Sequence, residues 1–547
     1  MNKPFERRGL ATDLAAIVGE GNVSVRQADK IAYSRDMWPK AQIWVHQGDS
    51  CRYPPDCIVW PHSVEQVQQL LSFCHERRIP IIPYGAGSGV CGGTIPIRGG
   101  VIIDLKALNR VLHIDDRALT VEAESGIIGQ HLEMELERRG YTLGHFPSSI
   151  YCSTLGGWLA ARSAGQYSSK YGKIEDMVSR LEVVLPGGQL FTTPRVPAPL
   201  GGVDWNQLFV GSEGCLGVIT TSVLKMHPAP IKRSFRGFTF PSVREGTEGI
   251  RTVMQAGLTP CLLRLYDPFD SLIAYQSDAA ALSADQALQS LIKALTSSGP
   301  KSTPKRRATR FGDWQRALKK QAVRMILSRP SMLNMAVERL SERCLMVIGF
   351  EGTSEHVDDS DALATGLLAA RGARDLGPEP GRHWYEHRYA ISYKQSPLYA
   401  VGAFVDTMEV ASTWDRLLPM YAAVKRAVAP YGFIMAHFSH AYTEGCSIYF
   451  TFAACDSDPQ ALEERYDRLW GAGLRAVVEQ SGTISHHHGV GMSKAHFMTN
   501  EYGDGVSLFA GLKKMLDPHG IMNPGKLWPD AELIDAGVEL AGATRGE

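Results

Sequence analysis

A glycine-rich stretch at residues 83–93 is the first part of the sequence whose residue types suggest a ligand. It reads Pro-Tyr-Gly-Ala-Gly-Ser-Gly-Val-Cys-Gly-Gly. Glycine has no Cβ, so its backbone adopts positive φ and brings N–H groups close to a charged ligand, for which a diphosphate is the obvious candidate. Gly85, Gly87 and Gly89 lack the spacing of the dinucleotide-binding fingerprint, and a plain glycine-rich turn is the alternative.

A single arginine interrupts an apolar segment farther along the chain. Arg264 follows two leucines and precedes a third. An isolated guanidinium in a buried strand needs a partner. That partner is either a carboxylate of the protein, in a structural salt bridge, or a phosphate or carboxylate of a substrate, held by two parallel hydrogen bonds.

Two further features carry titratable rings. The histidines His486, His487 and His488 are consecutive, and imidazole is a common metal ligand, but no carboxylate or cysteine stands at a recognised spacing from them. We therefore expect no metal, and a packing or capping role for one or two of the three is an alternative. Tyr449 lies in the alternating pattern of residues 447–452, where its side chain either packs in the core or takes part in the reaction. A phenol is a poor base at pH 7 unless positive charge lies nearby, and Arg264 and the imidazoles would supply it.

The elements around the glycine-rich stretch are predicted to form a helix, a strand, a loop and a second strand. Ser63 caps a helix that runs to Arg78, with Gln66 in the reciprocal position of a capping box. Residues 79–82 form a short strand that enters the glycines, and residues 101–105 form the strand that leaves them. Beyond them, the pattern predicts a helix at residues 127–139 and strands at residues 119–123, 181–185 and 190–193. Such a mixture is typical of an α+β fold.

Several segments together resemble a known family, the flavoproteins of the vanillyl-alcohol-oxidase type, and within it the branch of alkyldihydroxyacetonephosphate synthases. The resemblance runs through most of the chain. Shared by the whole flavin superfamily is Gly-Ser-Glu-Gly-x-Leu-Gly at residues 211–217. Three other segments are found in fewer members and favour the ether-lipid synthase branch. They are Gly-His-x-Pro at 144–147, Arg-Leu-x-Asp at 264–267 and Ser-His-His-His-Gly-Val-Gly at 485–491.

The resemblance implies FAD as the cofactor, bound without a covalent link, because Ser88 and Gly89 stand where related enzymes carry the flavin-linked histidine. The implied cofactor-binding residues come from the glycine-rich stretch, the following segments and the C-terminal region. They are Pro83, Gly85, Ala86, Gly87, Ser88, Gly89, Val90, Pro147, Ser148, Ser153, Thr154, Gly156, Gly157, Trp158, Glu213, Gly214, Gly217, Val218, Ile219 and Asn523. For Ser153 to Trp158, glycines that only allow tight turns are the alternative.

The resemblance also implies an active site made of Tyr449 as acid/base, Arg264, His145 and the three histidines 486–488. The implied reaction exchanges the acyl group of acyl-dihydroxyacetone phosphate for a fatty alcohol, through an adduct at flavin N5 and without net electron transfer. Residues 389–398 depart from the branch, because they lack its Tyr-x-Arg-Asp pattern. The sequence of residues 275–345 also differs from that of the synthase branch.

Other functions stay open at this point. An FAD-dependent oxidase or dehydrogenase of a 2-hydroxy acid or another alcohol would use the same residues, with Arg264 holding a carboxylate. An oxidative decarboxylase is a variant of that reaction. A binding or scaffold protein without chemistry is a third class, but it leaves the combination of Arg264, Tyr449 and the histidines unexplained.

The resemblance implies a discontinuous α+β architecture. A PCMH-type FAD-binding domain of two subdomains occupies residues 1–230, an inserted α/β cap (substrate) domain residues 231–480, and a C-terminal segment, residues 481–547, returns to complete the FAD domain and the active site. The first boundary falls near Pro228 and Pro230, which restrict the backbone and suit a linker.

Composition excludes several partners. Lys+Arg 57 against Asp+Glu 57 leaves no net charge to attract nucleic acid. The 10 cysteines form no C-x-x-C pair, which is typical of reduced thiols, and no apolar run reaches bilayer length, so we expect a cytoplasmic enzyme. We also expect a small-molecule substrate, lipid or carboxylate, and a homodimer. Residues 305–329 form a basic amphipathic pattern that either contacts a membrane peripherally or packs on the cap.

Overall fold

The computed structural model describes residues 9–196, 202–274, 343–389, 396–399 and 402–528, with Leu327, Pro330 and Asn334. The chain divides into two compact units, residues 1–229 with 485–547, and residues 230–484. Residues 305–329, which are predicted to contact a membrane or to pack on the cap, lie outside the described residues, Leu327 excepted. Among the helices that are described, none is long and apolar enough to cross a membrane.

The described helices are α1 (Leu10–Val18), α2 (Gln27–Tyr33), α3 (Pro39–His46), α4 (Val64–Arg77), α5 (Gly129–Glu137), α6 (Leu155–Ala161), α7 (Ser168–Tyr171), α8 (Ile174–Met177), α9 (Trp205–Phe209), α10 (Val243–Gln255), α11 (Pro268–Ala274), α12 (Ser354–Ala369), α13 (Glu379–His387), α14 (Ser396–Tyr399), α15 (Trp414–Val428), α16 (Pro459–Glu479), α17 (Met498–Tyr502) and α18 (Gly505–Leu516).

The described strands are β1 (Val23–Ser24), β2 (Cys57–Val59), β3 (Ile81–Tyr84), β4 (Val101–Asp104), β5 (Val111–Asp115), β6 (Thr120–Glu124), β7 (Tyr141–Thr142), β8 (Val178–Val184), β9 (Leu190–Thr192), β10 (Val218–Lys225), β11 (His227–Pro228), β12 (Lys232–Phe240), β13 (Leu262–Tyr266), β14 (Cys344–Gly352), β15 (Arg374–Gly377), β16 (Ala403–Thr413), β17 (Phe433–Ala441) and β18 (Gly445–Cys455).

The first unit contains a small sheet in the order β1-β2-β4-β3, in which β2, β4 and β3 run parallel. Pro83 lacks an N–H group, and β3 tolerates it because the strand lies at the end of this order. The C-terminal region joins the same strand, since Ile81 N donates to Ile521 O at 2.8 Å and Asn523 N donates to Ile81 O at 2.8 Å. Residues far apart in sequence therefore meet at the strand that enters the glycine-rich stretch.

Helix α4 packs its apolar side on that sheet and begins as the sequence predicts. Ser63 Oγ accepts from Gln66 N at 3.3 Å, and the Gln66 side chain accepts from His62 N at 2.7 Å rather than from Ser63 N. The helix ends at Arg77, because Arg78 takes a left-handed conformation with φ of 56°. Its fully buried apolar residues are Val67, Leu70, Leu71 and Cys74. The helix prediction is confirmed, one residue shorter.

A second, antiparallel sheet of the first unit has the order β5-β6-β10-β8-β9, and β7 pairs with β11. Helix α5 covers the middle of the predicted helix at residues 127–139, and β6, β8 and β9 lie within one to three residues of the predicted strands. The mixed helix and strand content confirms the predicted α+β class.

The described residues of the second unit form an antiparallel sheet of seven strands, in the order β15-β12-β14-β13-β17-β18-β16. Side chains alternate between its two faces. Phe438, Ile448 and Phe450 are fully buried on one face, and the Tyr421 ring of α15 lies 5.5 Å from the Phe438 ring. The opposite face of the same strands carries polar and charged side chains, described below as the polar face.

Candidate functional site

The loop that follows β3, residues 85–93, forms a glycine cradle in the first unit. A Cβ at Gly85 would meet Thr154 Oγ1 at 2.3 Å, and a Cβ at Gly87 would meet the Tyr84 hydroxyl at 2.0 Å. Gly87 also has φ of +63°, which favours glycine. Lys106 Nζ donates to Gly85 O at 2.8 Å and fixes the start of the loop. The cradle thus lies at the carboxyl end of parallel strands, where α/β folds bind phosphate-bearing ligands.

The predicted segment at residues 153–158 lies against the start of this cradle. Thr154 caps α6, since its Oγ1 accepts from Gly157 N at 3.3 Å. Gly156 is held by its own N–H, which donates to Ser125 O at 2.7 Å, and a Cβ at Gly156 would meet Ser125 Cβ at 2.8 Å. Close backbone approach therefore explains both Gly85 and Gly156.

Trp158 and His145 form the buried side of the same segment. The two rings lie 4.6 Å apart, and Trp158 Nε1 donates to Ser153 Oγ at 2.7 Å. Ser153 Oγ in turn donates to Ser149 O at 2.9 Å, so this hydroxyl already has a donor and an acceptor within the protein. Burial first, and the Lys173 charge second, lower the pKa of His145 to about 3. His145 is therefore a neutral imidazole at pH 7.

The carboxylate of Glu213 holds the histidine triplet in place. It accepts from Val490 N and from Gly491 N, the second and third amides after the histidines. Burial raises the pKa of Glu213, and these two hydrogen bonds oppose that effect. Both carboxylate oxygens are thus occupied by backbone amides. The predicted role of Glu213 in cofactor binding stays a prediction, and its observed contacts are those of a clamp on the loop at residues 485–491.

Three more side chains fasten the histidine loop. Lys173 Nζ donates to His486 O at 2.8 Å, Lys494 Nζ donates to Ser485 Oγ at 2.8 Å, and Ser485 Oγ donates to Gly489 O at 2.7 Å. The sequence places none of these three among the site residues. Lys173 is 313 positions from His486, whereas Lys494 and Ser485 bond within nine positions, so the role of Lys173 in particular depends on the tertiary structure.

The three imidazoles form a continuous row. The His486 and His487 rings lie 5.2 Å apart, and the His487 and His488 rings lie 4.6 Å apart. His486 Nδ1 and His487 Nδ1 are 2.9 Å apart, within hydrogen-bond distance. Burial, reinforced by the Lys494 charge, lowers the pKa of His488 to about 3, so His488 is neutral at pH 7.

Asn523 joins the C-terminal region to the cradle. Its Nδ2 donates to Gly93 O at 2.9 Å and to Glu213 O at 2.6 Å. Gly214, beside Glu213, has φ of +74°, and a Cβ there would meet Pro83 Cγ at 2.8 Å. The structure therefore brings together the predicted residues of three separate segments of the first unit.

The remaining predicted cofactor residues occupy supporting positions in the first unit. Gly89 O accepts from Met37 N at 2.9 Å, and Gln166 Nε2 donates to Ser148 Oγ at 3.3 Å. A Cβ at Gly217 would meet Val183 Cγ1 at 2.8 Å. Of the others, Val218 and Ile219 begin β10, Pro147 lies in the loop before α6, and Ala86, Ser88 and Val90 lie within the cradle.

In the second unit, four ring or acidic residues stand side by side on neighbouring strands. Tyr266 of β13 is opposite His437 of β17, His437 is opposite Tyr449 of β18, and Tyr449 is opposite Glu409 of β16. Directly paired residues of antiparallel strands point to the same face. Arg264, two residues before Tyr266, belongs to the same face. This row is the core of the polar face.

Arg264 has no carboxylate partner in the described part of the protein. Its Cζ lies 5.5 Å from the centre of the Trp384 ring, and it hydrogen-bonds to the Tyr266 hydroxyl. Its Nε is buried and has no hydrogen-bond partner among the described residues. Of the two partners that the sequence leaves open, a structural salt bridge is thus not found here. The guanidinium is suited to an anionic group of a ligand.

Tyr449 is a protonated phenol in this environment. Burial is the main cause that raises its pKa; a hydrogen bond with Thr407 lowers it, the Glu409 carboxylate raises it and the Arg264 charge lowers it. Its ring stacks on His437, with ring centres 4.7 Å apart and planes inclined by 14°. The sequence did not single out His437. Alternation along β17 places it on the polar face, but only the strand register shows that it lies against Tyr449.

Comparisons with known proteins identify the family. The family described as FAD binding domain matches residues 55–194, and the family described as FAD linked oxidases, C-terminal domain, matches residues 229–527. The second match covers more than half of the chain. The chain belongs to the FAD-linked oxidase family.

Several relatives of this protein carry the name of the synthase branch that its sequence segments resemble. It is similar to the alkyldihydroxyacetonephosphate synthase of Trypanosoma brucei brucei, with 32% identity over 508 residues, or 90% of this chain and 76% of that protein. The enzyme of the same name from Dictyostelium discoideum is 31% identical over 487 residues, or 87% and 73%. A solved alkyldihydroxyacetonephosphate synthase matches with a TM-score of 0.71 and 27% identity, covering 96% of this chain and 86% of that chain.

These findings confirm the predicted family, the PCMH-type fold, an FAD-dependent enzyme and FAD as the cofactor. The first unit fits FAD. Next to the cradle, Thr94 Oγ1, Ser125 Oγ and Asn523 Oδ1 are buried and have no hydrogen-bond partner among the described residues. Buried polar atoms of this kind require a polar ligand or water. Together with glycines that leave no room for a Cβ, they suit the hydroxyl and phosphate groups of a dinucleotide.

Proposed function

We propose that the protein exchanges the acyl group of an acyl-dihydroxyacetone phosphate for a fatty alcohol. In this reaction the bond between C1 and the ester oxygen breaks, a bond between C1 and the alcohol oxygen forms, and the proton of the alcohol leaves with the fatty acid. Support comes from the similarity to alkyldihydroxyacetonephosphate synthases over about nine tenths of the chain. FAD, when bound, supplies the reactive isoalloxazine ring.

The observation that carries the proposal is the arginine of the polar face. Arg264 offers a buried donor that has no carboxylate partner among the described residues, and Trp384 covers part of the guanidinium. A phosphate held by two parallel N–H groups satisfies this donor and its charge. We propose that Arg264 binds the phosphate of the substrate and that the cradle residues bind FAD.

The titratable groups receive separate roles. We propose that Tyr449 donates a proton during the exchange, since burial holds it in the phenol form. His486, His487 and His488 are proposed to transfer protons, and a neutral His488 is suited to accept one. Neutral His145, packed on Trp158, is proposed to hydrogen-bond to a ligand, because both of its ring nitrogens are buried without a partner among the described residues.

The test is a direct assay for the ether product. Purified yellow protein is incubated with palmitoyl-dihydroxyacetone phosphate and hexadecanol, and products are identified by mass spectrometry. We expect 1-hexadecyl-dihydroxyacetone phosphate and free palmitate in equal amounts, with no net change in flavin absorbance under anaerobic conditions. Palmitate released without ether product would mean hydrolysis only and would contradict the proposal.

Hydride transfer from a 2-hydroxy acid or another alcohol is the second candidate. It is favoured by the match to the FAD-linked oxidases over residues 229–527 and by a guanidinium that binds carboxylate as well as phosphate. An oxidative decarboxylase is a variant of this reaction. Anaerobic loss of the flavin absorbance on addition of D-lactate or glycolate distinguishes the oxidoreductase from the synthase. Non-covalent FAD, a homodimer and a cytoplasmic or peripheral membrane location stay predictions.

A further inference from the structure

His437 is held on the polar face by three neighbouring elements. From β13, the Tyr266 ring lies 5.6 Å away, and from β18 the Tyr449 ring stacks on the imidazole at 4.7 Å. From α11, Asp270 Oδ2 lies 2.9 Å from His437 Nδ1. Arg264 of β13 is the charged group that also acts on the imidazole. A histidine fixed in this way has one defined orientation.

The contact with Asp270 also sets the tautomer of the imidazole. Because a carboxylate accepts hydrogen bonds, Nδ1 carries the proton and donates to Asp270, which leaves a lone pair on Nε2. His437 Nε2 makes no hydrogen bond with any residue that the structure describes. Both side chains of the pair are about nine tenths buried. Nε2 is therefore the proton acceptor of this pair, and the Asp270 carboxylate binds the other ring nitrogen, Nδ1.

Arg264 couples this acceptor to substrate binding. Burial is the main cause that lowers the pKa of His437, the Arg264 charge lowers it further, and Asp270 opposes both. The imidazole is therefore neutral at pH 7. An anionic substrate group on Arg264 would cancel part of the positive charge, and this raises the pKa of His437. Substrate binding thereby makes the imidazole a stronger base, whereas Tyr449 stays a phenol.

We propose that His437, oriented by Asp270, is the proton acceptor for C1 of the substrate whose anionic group is bound to Arg264. This inference rests on the proposed function. The C1–H bond breaks, its electron pair stays on the substrate carbon, and the proton moves to His437 Nε2, where Asp270 faces the imidazolium. The bond from C1 to the ester oxygen breaks, the bond from C1 to the alcohol oxygen forms, and the alcohol proton leaves with the fatty acid. His437 Nε2 then returns a proton to C1, and this proton has exchanged with solvent in the meantime. No oxidant or reductant is consumed.

The proton-transfer step is measured by hydrogen exchange. Holoenzyme is incubated in D2O with palmitoyl-dihydroxyacetone phosphate, and deuterium at C1 is followed by mass spectrometry. We expect His437→Phe, which keeps a flat ring against Tyr449 but has no nitrogen, to lower the exchange rate by about 10²–10⁴-fold with unchanged FAD content. His356→Phe, which replaces an exposed histidine at the start of α12, is the matched control and should exchange like the wild type.

A pH profile separates a base from a structural group. In the wild type, the exchange rate should fall on the acid side as His437 becomes protonated. Asp270→Asn removes the group that raises the pKa of His437, so the acid limb should move to lower pH. A purely structural pair would lower the rate of Asp270→Asn without moving this limb. That result, or wild-type exchange in His437→Phe, would overturn the inference.

The two proposals fail in different ways. If the wild type makes no ether product, the proposed function fails, and the coupling is then tested by the NMR titration of His437 with dihydroxyacetone phosphate as the probe. We expect its pKa to rise on addition of the probe and to show no such rise in Arg264→Ala. If the wild type makes the product but His437 does not respond to the probe, only the inference fails. If His437→Phe does not fold, the pH profile of Asp270→Asn and the NMR titration of His437 still test the inference.

Discussion

The glycine cradle of the first unit and the polar face of the second unit use their polar groups in opposite ways. Around the cradle, the Glu213 carboxylate and the Asn523 amide nitrogen bind backbone groups of other segments. On the polar face, Arg264 Nε has no hydrogen-bond partner among the described residues, and the His437 acceptor is supported by Asp270 from behind. The first arrangement fixes the backbone and leaves neutral side-chain oxygens for a ligand, whereas the second leaves a charged guanidinium and an imidazole nitrogen.

This difference corresponds to two kinds of ligand. A cofactor that stays bound through many turnovers is best held by a backbone surface that does not move, because preorganisation lowers the cost of binding. A substrate that enters and leaves each cycle needs groups whose charge and proton affinity respond to it. Variants in the glycine cradle should therefore change FAD content, and variants on the polar face should change turnover at constant FAD content.

The largest expected effect is that of Tyr449→Phe. Removing the hydroxyl removes the proposed proton donor but keeps the stacked ring on His437. We expect kcat to fall by about 10³-fold or more, roughly 4 kcal/mol, with FAD absorbance per protein unchanged. Steady-state kinetics and a flavin spectrum test both parts. Turnover within threefold of the wild type would remove the acid/base role.

Arg264→Ala should give the next largest effect. Loss of a charge-assisted, two-pronged contact to the substrate anion should raise KM by about 10²-fold, or roughly 3 kcal/mol, with a smaller change in kcat. Arg264→Lys, which keeps the charge but loses the planar fork, should lie between the two. An unchanged KM in Arg264→Ala would place the substrate anion elsewhere.

Gly85→Ala should weaken FAD binding rather than turnover of the loaded enzyme. The new Cβ would lie 2.3 Å from Thr154 Oγ1, so the loop or the cap of α6 must shift. Overpacking of this kind costs about 1–3 kcal/mol, equivalent to a roughly 5–150-fold rise in the Kd for FAD, which fluorescence titration of the apoprotein measures. Gly511→Ala in α18 is the matched control, since its Cβ meets nothing within 4 Å.

The last expected effect is on stability rather than on turnover, and it concerns the buried histidine of the first unit. Burial lowers the pKa of His145 to about 3 from an ordinary value of 6.5. Between these values the unfolded chain binds a proton that the folded protein does not. Stability should therefore fall as the pH falls from about 6.5 to about 3, by about 1.4 kcal/mol per pH unit.

The test of this prediction is urea unfolding between pH 5 and pH 7. His145→Phe should flatten the dependence of the unfolding free energy on pH by one proton, whereas His113→Phe, at an exposed position of β5, should not. An unchanged slope in His145→Phe would show that the imidazole is protonated in the folded protein.

Local elements were the part of this structure that sequence patterns predicted well. Helix α4 begins at its serine cap, and β13 and β18 include the segments around Arg264 and Tyr449. Strand ends moved by one to three residues, as with β6, where Leu119 takes a left-handed conformation with φ of 51° and precedes the strand. Capping and alternation act over a few residues, which explains why a linear reading recovers them.

The amino-acid sequence by itself determined the cofactor class and the family, because the segments that resemble the flavoprotein family, such as residues 211–217 and 485–491, are short motifs that are visible along the chain. Tertiary structure alone decided that Glu213 clamps the histidine loop, that Arg264 has no described carboxylate partner, and that His437 lies between Asp270 and Tyr449. These contacts join residues 167 or more positions apart, or depend on the register of neighbouring strands. A one-residue change in register would move His437 to the apolar face, and local patterns do not fix that register.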